Sequence, residues 1–124
     1  MIKITFTHSI IPNGPATDIS IVEEVSKDIY DTMHARLKQF VEQNVIANFA
    51  VILKENNQII VSHFATTPEN AQIFIDAYVD PVSWWRTYGV EFEMSQQEID
   101  INTVDTSTTI SIFDENDWLY GLSH

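Results

Sequence analysis

Residues 45–65 read VIANFAVILKENNQIIVSHFA, and most of the expected fold is built around them. Apolar residues run along both sides of Glu55-Asn56-Asn57, in the pattern of two β-strands. Asparagine tolerates a positive φ angle, so these three residues predict a tight hairpin turn. Phe49, Val51 and Leu53 share one face of the first strand, and the residues between them are largely apolar as well. We therefore expect both faces of this hairpin to contact other parts of a protein.

A strand and a long helix are predicted before the hairpin. Residues 3–8 alternate between polar and apolar side chains, which is typical of a strand with one buried face. Residues 20–23 read SIVE and form a capping-box pattern, with Asp18 as a competing cap. Apolar residues then recur at three- and four-residue steps, which predicts an amphipathic helix running to about Asn44.

A second helix and a further strand are predicted after the hairpin. Thr67-Pro68-Glu69 supplies a capping hydroxyl, a proline at the first helical position and an acid in the first turn. Asp80-Pro81 is expected to end this helix, because a residue before proline avoids the helical region. The same pair is expected to begin a short helix that ends at Gly89. Residues 90–95 alternate like a half-buried strand, and the rest predicts further strands and a terminal turn that carries Trp118.

The expected order of elements is β-α-β-β-α-β with a β-rich C-terminal extension. This is the order of the ferredoxin-like plan, a four-stranded antiparallel sheet with both helices on one face. The alternative is a different α+β sheet with its helices on one side. The length of 124 residues is that of one ordinary domain, so we expect residues 1–124 to form a single unit.

One face of the predicted sheet lacks an obvious cover. If the helices cover Ile4, Phe6 and Val51, the other face is too apolar for water and too polar for a core. The residues expected on it are Thr5, Thr7, Ala50, Ile52, Ile60 and Phe64. We expect either a second subunit, giving a homodimer, or the residues after Met94 to cover this face.

Charge is distributed unevenly along the chain, which carries a net charge of −12. The last basic residue is Arg86, and eight acids follow it. Such a surface repels phosphate groups, so binding to nucleic acid or to an anionic membrane is disfavoured. The acids either form a solubilising face or bind a basic protein partner. The residues expected on a partner surface are Glu91, Glu93, Glu98 and Asp100.

The chain contains no cysteine, which excludes disulfides and thiolate metal sites. No apolar run approaches the ~18–20 residues that a membrane-spanning helix needs. The first residues do not have the pattern of a secretion signal. Together these features favour a cytoplasmic protein.

Residues 80–89 read DPVSWWRTYG and contain the candidate binding site. Consecutive helical residues are about 100° apart, so Trp84 and Trp85 cannot both enter the core. One of them leaves an apolar surface beside Arg86, where an indole and a guanidinium can stack. This surface is expected to be covered by the C-terminal extension, by a second subunit or by a ligand. In the last case, polar groups would come from residues such as Tyr88 and His63.

No catalytic constellation, metal site or cofactor motif stands out in the sequence. With a nearby carboxylate, His8 and His63 could form a metal site or an acid–base pair. Strand parity places both on the helix-covered side at strand ends, so we expect hydrogen-bonded rim residues instead. The three glycines form no phosphate-binding loop. We therefore expect a small non-enzymatic interaction module. Small viral proteins that sequester host factors often have such compositions, which makes a viral-type binder one form of this expectation. The alternative is a cofactor-independent ferredoxin-like dimer, either an enzyme or a ligand-binding protein, with its pocket near Trp84 and Trp85.

Overall fold

The structure, a computed structural model, describes residues 1–12, 14, 18–55, 57–83 and 89–123. Five strands and three α-helices make up most of this part of the chain. Their bounds are β1 (Ile2–Ile10), α1 (Ile19–Glu42), β2 (Phe49–Glu55), β3 (Gln58–Ala65), α2 (Pro68–Ser83), β4 (Val90–Glu98), β5 (Thr109–Ser111) and α3 (Glu115–Ser123). Two 3-10 turns, Ile101–Thr103 and Thr106–Thr108, lie between β4 and β5.

The strands form one antiparallel sheet in the order β4-β1-β3-β2-β5. The predicted ferredoxin-like fold, with a four-stranded sheet, two helices and a β-rich extension, is therefore wrong. A fifth strand pairs with the outer edge of β2, and the described chain ends in a third helix. The structure is α+β, with a five-stranded sheet and three helices among the described residues.

The expected C-terminal strands are largely replaced by turns because aspartate side chains cap the backbone there. Asp100 accepts a hydrogen bond from the Asn102 amide at 3.0 Å, which begins a 3-10 turn. Asp114 accepts from the amides of Asn116 at 3.1 Å and Asp117 at 3.3 Å, at the start of α3. Side chains of this kind compete with strand pairing for the backbone, so an alternating sequence does not extend the sheet.

The two faces of β2 are reversed relative to the prediction. Ile52 pairs with Val61, a core residue of β3, so Ala50 and Ile52 lie on the helix-covered face. Val51 was expected on that face but lies on the opposite one with Phe49 and Leu53. Both faces of β2 are apolar, so alternation alone could not distinguish the two registers.

The caps of α1 and the end of α2 also differ from the sequence pattern. Asp18, and not Ser20, caps α1, and it accepts a hydrogen bond from the Ser20 amide at 2.9 Å. Helix α2 was expected to end at Asp80-Pro81, and a second helix was expected to begin there. It instead continues through this pair to Ser83. Proline has no amide proton for the carbonyl four residues earlier, at Ala77. The Arg36 guanidinium on α1 lies 3.5 Å from that carbonyl oxygen and replaces the missing donor.

The open face of the sheet is covered at one end by the chain itself. Phe64 lies on this face and is only 1% exposed. The cavity beside it is lined by Val104 and Thr108 as well as by Val51, so the segment after β4 folds back over this end. At the other end Leu53 is 47% exposed. The open face is thus closed over Phe64 and accessible around Leu53.

Candidate functional site

Four of the five predicted binding residues lie outside the described residues: Trp84, Trp85, Arg86 and Tyr88. The pocket expected around the two tryptophans therefore stays a prediction. The fifth residue, His63, lies on β3 and is described in full.

His63 and His8 lie in the core and not at the rim, so the rim prediction is wrong. His63 pairs with Ile4, and His8 pairs with Ile59, which places both histidines on the helix-covered face. Each is 1% exposed. Burial disfavours the charged imidazolium and lowers the pKa of His8 to about 4. Burial, assisted by His8, lowers the pKa of His63 to about 3.

Aromatic rings surround His63 on the core side. The Phe74 ring centroid lies 4.9 Å from that of His63, Trp118 lies at 5.6 Å, and Tyr78 lies at 6.1 Å. Trp118 in turn stacks on Tyr30 of α1 at 4.6 Å. We call these five residues the His63 cluster. It joins α1, α2, α3 and β3, so it is a central packing element of the fold.

Several polar atoms of the His63 cluster have no hydrogen-bond partner. Within the described residues, these are both ring nitrogens of His63, the Tyr30 hydroxyl and the Trp118 indole nitrogen. His8 differs, because its Nδ1 lies 2.9 Å from the Ser26 hydroxyl. A histidine with a pKa of about 3 and no partner is a weak base at neutral pH, so the cluster is poorly suited to acid–base catalysis.

The predicted acidic surface is divided between the two faces of β4 and the turn that follows. Glu91 pairs with Ser9 and Glu93 with Thr7, so both glutamates lie on the open face. Glu98 lies on the opposite face by strand alternation. Asp100 lies beyond the strand and caps the next turn. The four acids therefore lie on both faces of β4 and in the turn after it, and do not form a single flat patch.

Strand β4 is an edge of the sheet. It pairs with β1 on one side, and no described strand pairs with it on the other. Its side chains are exposed from Glu93 through Glu98. The sequence contains a signal for this position, because polar residues 95–98 replace the alternation of residues 90–94. Residues that are polar on both faces are typical of an edge strand.

No protein-family model matches the sequence, and no curated protein is found to be similar to it. Among the described residues, no helix has the length and apolar character needed to cross a membrane. The described part of the chain also lacks a group of three or more His, Asp or Glu side chains placed to hold a metal ion.

Proposed function

We propose that the protein is a non-enzymatic interaction module that binds a basic protein segment along β4. One observation carries the proposal: β4 is a nine-residue edge strand that is exposed over most of its length. It contains three glutamates and no lysine or arginine. An edge strand offers backbone donors and acceptors to a partner, and its glutamates favour a partner of opposite charge.

The charge of the whole chain supports the same proposal. A net charge of −12 attracts basic partners from a distance and accelerates their encounter. Exposed ion pairs contribute about 0.5 kcal/mol each and are screened by salt. Binding through Glu91, Glu93 and Glu98 is therefore expected to be moderate in affinity and to weaken as salt rises.

The proposal is tested by comparing two variants that remove the same charge from different surfaces. The first replaces Glu91, Glu93 and Glu98 with glutamine. The control replaces Glu24, Asp28 and Asp31, which are exposed on α1, with their amides. Binding of a labelled lysine-rich peptide is measured by fluorescence anisotropy at low and moderate salt.

The β4 variant is expected to bind the peptide roughly tenfold more weakly, because three pairs of about 0.5 kcal/mol are lost. The α1 control is expected to change the affinity much less. Equal weakening in both variants would mean that the peptide responds to net charge alone, and this result would overturn the proposal.

Glutamates on an edge strand also prevent pairing between copies. If the β4 variant self-associates while the peptide binds neither protein, the glutamates only protect the edge.

We also propose that the chain forms a homodimer through the uncovered end of the open face, around Leu53. The exposure of this side chain supports the proposal. The charge of each copy opposes association, so a dimer is expected to be favoured by salt. Sedimentation velocity over a hundredfold concentration range tests this, with Leu53→Ser as the variant. A monomer at all concentrations and salt levels would overturn it.

A further inference from the structure

We infer that β4 binds its partner by strand addition, and that the partner is an extended segment in which basic and apolar residues alternate. This inference rests on the proposed function and specifies its binding mode. It follows from two features of β4: which of its backbone groups hydrogen-bond to β1 and which point outward, and which side chains lie on each face.

The hydrogen bonds at the two ends of the β1–β4 pair show which backbone groups are used. The Ile99 amide donates to the Met1 carbonyl at 2.9 Å, and the Met1 amino group donates to the Ile99 carbonyl at 3.2 Å. At the other end, the Ile11 amide donates to the Gly89 carbonyl at 2.8 Å. In an antiparallel pair, alternate residues bond to the same neighbour. The odd-numbered residues of β4 therefore bond to β1.

The even-numbered residues of β4 direct their amides and carbonyls away from β1. This outward row is formed by Phe92, Met94, Gln96 and Glu98, with Val90 at its start. Within the part of the chain that the structure describes, no strand pairs with this row. Successive outward residues are about 7 Å apart, which is the repeat that a second strand needs. The backbone of β4 can thus accept an extended segment without breaking any bond to β1.

The side chains of β4 determine which segment fits. Glu91 and Glu93 lie on the open face, so partner residues opposite them are expected to be lysine or arginine. Phe92 and Met94 lie on the helix-covered face, and Met94 is 39% exposed. Partner residues opposite Phe92 and Met94 are expected to be apolar, and the residue opposite Glu98, at the end of the same face, is expected to be basic. Because side chains alternate along a strand, the partner needs basic and apolar residues at alternate positions.

A second copy of the chain is a poorer occupant of this edge. Pairing β4 with β4 would bring together two strands that each carry three glutamates and no lysine or arginine, and like charges close together across a strand pair are destabilising. Each copy also carries a net charge of −12. Charge complementarity therefore favours a basic segment over self-pairing.

Two peptides of identical composition separate strand addition from simple charge attraction. One alternates lysine and valine over about nine residues, the length of β4. The other has its lysines in one block and its valines in another. The chain is expected to bind the alternating peptide at least about tenfold more tightly, since only that peptide matches both faces of the edge.

A pair of variants tests the outward row directly. Gln96→Pro removes one outward amide and no bond to β1, and proline is tolerated on edge strands when its nitrogen faces solvent. Gln96→Ala is the matched control, because it changes the side chain and keeps the amide. We expect Gln96→Pro to weaken binding of the alternating peptide about tenfold and Gln96→Ala to leave it unchanged. Circular dichroism shows whether each variant is folded.

Hydrogen exchange on the unmodified chain gives a readout that does not depend on a folded proline variant. The amides of Met94 and Gln96 point outward and are expected to exchange rapidly until the alternating peptide is added. Those of Glu93 and Ser95 bond to β1 and should be slow throughout. Equal protection of odd and even amides, or no new protection at saturation, would overturn strand addition.

The outcomes also separate this inference from the proposed function. If both peptides bind equally and the glutamine variant at Glu91, Glu93 and Glu98 weakens both, the acidic strand binds basic segments but not by strand addition. If neither peptide binds, both proposals fail. If a higher concentration of the protein itself, and not the peptide, protects the amides of Met94 and Gln96 from exchange, the edge pairs with a second copy and the inference is wrong.

Discussion

The two edges of the sheet differ in length and in what surrounds them. Strand β5 has three residues and is followed at once by buried Ile112, whose amide donates to the Asn48 carbonyl at 2.9 Å. Helix α3 then packs beside α1 and over β2. Strand β4 has nine residues and is exposed from Glu93 onward. Short strands and inward charges both limit unwanted pairing at an edge. Of the two edges that the structure describes, β4 presents the longer unpaired backbone.

If β4 binds a partner as proposed, residues that stabilise the fold and residues that bind lie on opposite edges of the sheet. Helix α3 buries Trp118 and Leu122, so the β5 side contributes apolar burial to the fold. Most of β4 beyond Met94 buries little, so its substitution affects stability weakly. Surface substitutions away from packed features usually change stability by about 0.5 kcal/mol or less. Variants on the two edges should therefore give opposite results in stability and binding experiments.

The largest expected effect is at Trp118, which connects α3 to the core. Trp118→Ala removes the ring that stacks on Tyr30 and His63, and large-to-small aromatic changes in a core cost about 3–5 kcal/mol. We expect the free energy of unfolding in urea to fall by that amount. Peptide binding at β4 should be retained under conditions where the variant is folded.

Two controls sharpen this comparison of the edges. Trp118→Phe keeps an aromatic ring and removes the unpartnered indole nitrogen, so it should cost much less than alanine. Met94→Ala on β4 should cost only about 1 kcal/mol, because the Met94 side chain is 39% exposed. A loss at Met94 as large as that at Trp118 would contradict the division between a stabilising and a binding edge.

The second prediction concerns pH and the buried histidines. In the unfolded chain, histidine takes up a proton near pH 6.5. In the folded chain, His8 does so only at about pH 4 and His63 at about pH 3. The unfolded state therefore binds more protons between these values, and stability falls as pH falls. Between pH 8 and pH 5 we expect a loss of roughly 2 kcal/mol for each histidine.

Urea unfolding at a series of pH values measures this loss. His63→Leu is the matched variant, because it removes one of the two buried imidazoles without adding a polar group. The pH dependence between pH 8 and pH 5 should fall to about half. An unchanged slope in His63→Leu would show that His63 is solvated or charged in the folded chain, contrary to its burial.

The sequence supports the local elements better than their arrangement. The hairpin turn was predicted from its asparagines, and Asn57 adopts a φ of 62° there. The buried side of β1, with Ile4 and Phe6, was also predicted correctly, because its alternation is clear. The register of β2 was not, since both of its faces are apolar. The histidines were placed on the correct face but at the rim, because they were expected at strand ends, whereas β1 and β3 each continue two residues beyond them.

The candidate site depends on the order of the strands in the sheet. The alternation of polar and apolar residues does not indicate that order. The glutamates of β4 were identified as partner-binding residues, and this stays a prediction. That β4 is an edge follows from the pairing of β1 with β3 and β4, which are contacts between distant parts of the chain. Only the polar residues 95–98 indicated an edge within the sequence itself.

The smallest expected effect concerns how closely α3 packs against β2. Gly121 lies in α3, and a Cβ added there would be 3.2 Å from the Ile52 Cδ1 atom and 3.6 Å from its Cβ. Alanine in a helix is favoured over glycine by about 1 kcal/mol. The close contact opposes this gain, so Gly121→Ala is expected to change stability by less than about 0.5 kcal/mol.

A double-mutant cycle with Ile52→Val isolates that contact. Valine lacks the Cδ1 atom and by itself should cost about 1 kcal/mol. In this background the Cβ of Gly121→Ala keeps only ordinary contacts such as the one at 3.6 Å to the Cβ of residue 52. The higher helix propensity of alanine should then appear as a gain of about 0.5–1 kcal/mol. Urea unfolding of the four chains measures the coupling between the two sites. Strictly additive effects would mean that α3 packs loosely on β2, and the contrast with the exposed β4 edge would then rest on Trp118 and Leu122 alone.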